Sequence, residues 1–177
     1  LLKWRPAEAD TPLRKRHWFW HPNAESKLLS LDELMGIYAK TVGRGAQLVL
    51  GLAPDNRGLM PEVDVKRLEE FGAEVQRIYG NDLAKGRSTG TYATLAPNTK
   101  IDRVVLAEDL NDGQNVRSYV VRARVGGEWK EVARGTTIGH KKIDVFPAVT
   151  ADAVQVNILA SLNDPKLKRM TVHYGSR

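Results

Sequence analysis

The run AQLVLGLAP at positions 46–54 constrains this chain more than any other feature. It is apolar apart from Gln47 and shows no alternation of polar and apolar residues. The run is short for a helix, and the turn-forming PDNRG at 54–58 closes it. Such a run is expected as a strand covered on both faces, as in a parallel sheet. Parallel strands are joined by crossovers and do not stand singly. The fold must therefore bring sheet neighbours to this segment.

Both flanks read as helices. Ser30-Leu31-Asp32-Glu33 has the form of a capping box, and Leu31, Leu34, Met35, Tyr38 and Val42 recur at helical spacing. This predicts a helix over 31–42, ended by Gly43 and Gly45. Pro61 occupies a favoured first helical position, and Val65, Leu68, Phe71, Val75 and Ile78 form an apolar stripe. Glu69, Glu70, Glu74 and Arg77 are expected to face outward, with Gly80 as the C-cap. Residues 30–80 thus spell helix, covered strand, helix, which is one piece of an α/β fold.

Ahead of this piece lies WRPAEADTPLRKRHWFWHP, positions 4–22, inside a stretch 1–29 that reads as irregular loop punctuated by Pro6, Pro12 and Pro22. Behind it, the polar and Gly-rich 81–100 reads as a linker. The pattern then changes to short strands at 101–106, 116–125, 128–134, 141–146, 153–160 and 169–174. Val154, Val156 and Ile158 alternate with Gln155 and Asn157. Gly126-Gly127 is a hairpin signal, and Asn111-Asp112-Gly113-Gln114 is a second turn. Six short strands with no helix suggest an antiparallel β-sandwich. Two structural classes are therefore expected in one chain: 1–80 α/β, 81–100 linker, 101–177 all-β.

Composition narrows the function. There is no Cys, so disulfides and thiolate metal sites are absent. The net charge of +6 comes from 27 basic and 21 acidic side chains interleaved along the chain. Nucleic-acid binders gather their cations on one face, so this class is disfavoured. Arg14-Lys15-Arg16 is the one dense basic run, and it reads as a solvated loop. No apolar run approaches the ~18 residues of a membrane span, and the first twenty residues lack the form of a signal peptide.

The order PAEAD…HWFWHP followed by LDELMGIYAKTVGRGAQLVLGLAPDNRGLMPEVDVKRLEEFG resembles the end of the catalytic barrel in α-L-fucosidases of glycoside hydrolase family 29. The tail DRVVLAEDL…GQNVRSYVV…GGEWKEVARGTTIGHKK is similar to the β-sandwich that follows that barrel in many members. The resemblance implies α/β plus all-β: the C-terminal remnant of a (β/α)8-like barrel, then an antiparallel β-sandwich of jelly-roll or discoidin-like form. It also implies a retaining exo-glycosidase with two carboxyl groups about 5 Å apart. The family's nucleophilic Asp lies upstream of the matched part, so this chain alone is expected to be inactive. The substrate would be a terminal α-L-fucose, with linkage 1,3 or 1,4 suggested by the PAEAD form. The partners implied are a fucosylated glycan and the rest of the barrel, and the location implied is secreted or periplasmic. The competing reading is a non-catalytic carbohydrate-binding or adhesion protein in which the sandwich does the work.

The resemblance also assigns candidates. Trp18 falls where a family aromatic lies against the methyl side of fucose. Trp20 is a further contact or a wall or core residue, and Phe19 reads as wall or core. Glu8 is a candidate acid/base, and Glu8 and Asp10 are candidates to hold hydroxyls of the neighbouring sugar. The structural alternative pairs one of these carboxylates with Arg14 or Arg16. His17 and His21 lack a third metal ligand and read as loop residues. Arg44 is expected to pair with a carboxylate inside the barrel, and Asp55 and Asn56 fit a turn. In the sandwich, Tyr119 and Trp129 are candidate glycan contacts, with Trp129 more readily placed in the core. No cofactor is implied, although a small calcium site in the sandwich stays open.

Overall fold

The computed structural model describes residues 6–176; Trp4 of the opening aromatic stretch lies outside them. Two compact units are present, one of residues 6–42 and 46–76, the other of 43–45 and 77–176.

In the first unit the covered run forms β2, Gln47–Gly51. Its neighbour is a strand the sequence did not announce: β1, Glu8–Pro12, pairs with it in parallel from Glu8 opposite Gln47 to Pro12 opposite Gly51. The expectation of an irregular 1–29 is corrected here. Glu-Ala-Asp-Thr-Pro has weak strand propensity, and ladder pairing with an apolar neighbour overrides that. Bonds from Gln47 N to Ala7 O (2.8 Å) and from Leu13 N to Gly51 O (2.9 Å) extend the pairing at both ends. β2 is not covered on both faces as expected. Val49 is 37 % and Leu52 41 % exposed, and among the described residues only β1 pairs with this strand.

Helix α1 runs Leu31–Lys40. Ser30 Oγ accepts from the Glu33 amide at 3.2 Å, and the Glu33 carboxylate accepts from the Ser30 amide at 2.9 Å. Lys15 Nζ lies 2.6 Å from the same carboxylate, and its hydrogen bond, with those from Ser30, holds the Glu33 pKa down at about 2. The helix stops at Thr41, two residues before the predicted glycines, where Val42–Arg44 tightens into a 3-10 turn.

Helix α2, Glu62–Tyr79, starts directly after Pro61. Its buried stripe is the expected one from Leu68 through Phe71 and Val75 to Ile78, and only its first position differs. Val65 is 41 % exposed, while Asp64 is 2 % exposed and shares a face with Leu68 and Phe71 four and seven residues on. The unit's core is Leu13, Leu29 and Leu34, with Leu28, Ile37, Leu50, Leu68 and Phe71 packed around them. Burying Leu34 fully is worth about 1.5–3 kcal/mol.

The second unit is a six-stranded antiparallel network: β3 (Ser88–Thr89), β4 (Tyr92–Glu108), β5 (Val116–Val125), β6 (Glu128–Gly135), β7 (Lys142–Ser161) and β8 (Leu167–His173). The order is β3-β4-β7-β5-β6, with β8 also on β4. Two expectations change. The supposed linker 81–100 holds β3 and the first part of β4, and Ala84, Ala93 and Leu95 are core residues. The predicted strands 141–146 and 153–160 are one strand, β7. Pro147 lies between them, in a bulge. Ile101 pairs with Val149 and Arg103 with Val145, so Asp102 faces three β7 residues. A bulge needs no ladder donor there, and that is the place where a strand tolerates Pro. A second bulge sets residues 95–98 of β4 against Asp152, because Thr94 pairs with Ala153 and Thr99 with Ala151. At such bulges long strands bend and change neighbours. β4 exchanges β3 for β8, and β7 exchanges part of β4 for β5.

The β5–β6 hairpin turns on Gly126 and Gly127 at φ 61° and 88°, as their positive-φ preference predicts. One apolar cluster fills the unit, from Val104, Leu106 and Val172 to Val121, Val154 and Val156. Glu108 is buried within this unit, and its carboxylate accepts from the amides of Asn115 and Val116 (both 2.9 Å) and Gly139 (2.7 Å). No helix among the described residues is long and apolar enough to cross a membrane.

Candidate functional site

Strand pairing decides which candidates meet. Side chains alternate along a strand, so Glu8, Asp10 and Pro12 share one face of β1, and the pairing sets Gln47, Val49 and Gly51 beside them on β2. Glu8 and Asp10 are exposed. Among the described residues neither takes an ion-pair partner, so the expected pairing with Arg14 or Arg16 is not formed.

Arg14 has another partner. Its Nη2 donates to Asp64 Oδ1 at 2.7 Å and its Nε to Oδ2 at 3.2 Å, with side chains 4 % and 2 % exposed. The basic run is therefore not a uniformly solvated loop: Arg14 is an anchor, Lys15 pairs with Glu33, and Arg16 turns the backbone at φ 63°. The anchor matters for the aromatic loop that follows. Lys15 N bonds to Lys27 O at 2.8 Å and Leu29 N to Leu13 O at 3.0 Å, closing residues 15–27 into a loop with a fixed base. Trp18, Phe19 and Trp20 lie along it.

Within that loop Trp18 is 55 % and Phe19 79 % exposed, while Trp20 is half-buried. Trp18 is held from below. A Cβ on Gly51 would meet Trp18 Cζ3 at 2.9 Å and Cε3 at 3.1 Å, so the indole rests on the bare backbone of Gly51. Gly51 belongs to the face that carries Glu8 and Asp10. Glu8, Asp10 and Trp18 therefore share one face, with Trp18 at the C-terminal end of the parallel pair. Sequence reading missed Gly51, although a glycine inside a strand is itself a signal of close approach.

The remaining candidates separate from this face. His17 and His21 pack edge to face, centroids 4.7 Å apart, and the described residues hold no group of three or more His, Asp or Glu suited to a metal ion. Arg44 is exposed and takes no ion pair among the described residues. Asp55 serves its turn, accepting from Arg57 N at 2.8 Å and from Arg57 Nη2 at 2.7 Å, and the Arg57 hydrogen bond lowers its pKa. In the second unit the two aromatic candidates exchange roles. Tyr119 is fully buried and donates to Asp144 Oδ2 at 2.6 Å, which removes it as a glycan contact. Burial raises both the Tyr119 and Asp144 pKa values. Trp129, expected in the core, is 38 % exposed.

Comparison with known proteins adds to this geometry. Residues 2–80 match the family model for α-L-fucosidase. α-L-Fucosidase 1 of Arabidopsis thaliana is 29 % identical over 79 % of this chain and 35 % of its own length. Among solved structures, a candidate α-L-fucosidase of Bacteroides thetaiotaomicron is 35 % identical with a TM-score of 0.89, over 97 % of this chain and 41 % of that one. A glycoside hydrolase 29 family member from an unknown rumen bacterium is 27 % identical with a TM-score of 0.90, over 98 % of this chain and 34 % of that one. The chain thus spans well under half the length of these relatives. By sequence and by fold it fits the C-terminal part of a glycoside hydrolase family 29 α-L-fucosidase.

Proposed function

We propose that a chain fitting the C-terminal part of a family 29 α-L-fucosidase supplies one wall of the sugar site in a retaining exo-glycosidase that removes terminal α-L-fucose from glycans, linked 1,3 or 1,4. The observation that carries this reading is the shared face of Glu8, Asp10 and Trp18, with the indole seated on Gly51. A fucose ring has an apolar side at its methyl group, which stacks on an exposed indole, while carboxylates accept hydrogen bonds from hydroxyls. In this reading Trp18 lies against fucose and Trp20 walls the site. Asp10 holds hydroxyls of the next sugar, and Glu8 either does the same or serves as the acid/base.

The nucleophilic Asp is assigned to a preceding strand of the same barrel in the whole protein. The exposed Val49 and Leu52 and the edge of β2 that is unpaired among the described residues support this, because parallel strands are normally covered by neighbours. The strands of the second unit are read as a β-sandwich bracing that barrel.

The test is turnover of a 1,3- or 1,4-fucosylated trisaccharide followed by NMR. The whole protein should release fucose first as the α-anomer, and the 177-residue chain alone should release none. Initial release of the β-anomer, or turnover by the chain alone, would overturn the proposal.

A further inference from the structure

We propose that the second unit carries a carbohydrate-binding site of its own, a cleft lined by Arg124 with the Trp129 indole beside it, that takes a neutral oligosaccharide. Two features of the backbone build it. The bulge in β4 turns Pro97 and Asn98 (φ 57°) outward opposite Asp152, and the Gly126-Gly127 turn leaves the adjacent hairpin end without side chains. Between them lies a cleft of about 160 Å³ lined by Asn98, Arg124, Thr150 and Asp152 together with Pro97 and the two glycines.

Arg124 joins this cleft to an aromatic surface. Its Nε donates to Asp152 Oδ1 at 2.7 Å, and its guanidinium lies 5.9 Å from the centroid of the Trp129 ring. Tyr92 meets Trp129 edge to face at 6.2 Å. Trp129 thus touches both an arginine and a tyrosine while 38 % of it stays in solvent. An exposed indole fixed in this way loses little freedom when a ligand stacks on it.

The chemistry beside the indole selects the ligand. Asp152 and Asn98 offer acceptors, and Arg124, Asn98 and Thr150 offer donors, within one small polar cleft. That mixture suits vicinal hydroxyls. A pyranose such as galactose presents C–H groups on one side for the indole and hydroxyls on its rim for the cleft. Charge argues against a phosphate-bearing ligand. Arg124 is paired with Asp152 and Arg134 with Glu131, so these cations are already matched.

This inference does not rest on the fucosidase reading, so its probe carries no fucose. The full chain is titrated with a neutral N-acetyllactosamine hexasaccharide and saturable binding is read by ligand-observed NMR. Trp129→Ala and Arg124→Ala should each weaken binding about tenfold or more, with an unchanged circular dichroism spectrum and thermal midpoint. Trp18→Ala should leave the affinity unaltered. If Trp129→Ala proves less stable, Trp129→Gln provides the same reading, since it keeps much of the side-chain bulk and removes the stacking ring. The inference is overturned by no saturable binding, by full affinity in the Trp129 and Arg124 variants, or by loss of binding in Trp18→Ala. A change of oligomeric state in Trp129→Ala would mark the surface as a protein interface and would overturn it as well.

Discussion

Arg14 grips Asp64 with two hydrogen bonds, at 2.7 and 3.2 Å, where both side chains are all but sealed from water. The pair ties the segment leaving β1 to the first turn of α2, and it sets the base of the aromatic loop. Arg14 Nη1 is buried without a hydrogen-bond partner among the described residues, so the pair is not ideally solvated even when intact. Removing one member strands the other charge in the interior, which costs about 3–5 kcal/mol. Arg14→Met should therefore destabilise strongly. Arg14→Met combined with Asp64→Leu should recover most of the loss, because an apolar pair leaves no buried charge. Urea unfolding of the two variants checks this; equal losses in both would contradict it.

Gly51 and Trp18 make a second coupled pair. A methyl group at Gly51 would meet the indole at 2.9 Å, and Trp18 is 55 % exposed, so the ring is free to swing outward. Gly51→Ala should thus cost less than about 1 kcal/mol of stability. In the whole protein it should raise KM for a fucoside about as much as Trp18→Ala does. Once the ring is gone the methyl has nothing to displace, so the double variant should be no worse than either single one. Additive effects on KM would separate the two residues.

The parts of this fold that were legible are those written within a few residues. The Ser30–Glu33 box spans one helical turn, Gly126-Gly127 specifies its own hairpin, and Val154, Val156 and Ile158 alternate on neighbouring positions. The parts that were not legible depend on distant partners. β1 has an unremarkable sequence and exists because Gln47–Gly51 pairs with it. Asp64 has no local sign of burial in the sequence, and only Arg14, fifty positions earlier, explains it. β7 read as two strands because the bulge opposite Asp102, which holds Pro147, is set by the register of two long strands. The site residues divide in the same way: Trp18 was visible as an aromatic in a loop, but its seat on Gly51 was not. Trp129 was misplaced because alternation along β6 does not tell which face of an edge strand is covered.

Glu108 yields a prediction for the second unit. Its two carboxylate oxygens accept from three backbone amides, two from 115–116 and one from Gly139. Glu108→Gln keeps the shape but turns a donor toward at least one of these amides. One buried N–H then goes unpaired, at about 1–3 kcal/mol. A shift of the urea midpoint with unchanged slope is the expected readout. Retained stability would mean that the clamp is dispensable.

His173 predicts a pH response. Its Nδ1–H donates to Asn81 O at 2.8 Å and its Nε2 lies 2.8 Å from Thr171 Oγ1, a contact that a neutral ring satisfies by accepting from the hydroxyl. Burial lowers its pKa, only partly opposed by the Asn81 carbonyl. The folded state therefore binds a proton less readily than the unfolded state, whose histidine titrates near 6.5. Above that pH both states are neutral and the residue adds no pH dependence. As pH falls through 6.5 toward the lowered folded value, the unfolded state takes up the proton first and stability drops. His173→Asn keeps a donor for Asn81 O and cannot be protonated. Thermal midpoints at pH 7.5 and 5 should fall further on acidification in the parent chain than in this variant. Equal slopes would show that the buried imidazole is not the group responsible.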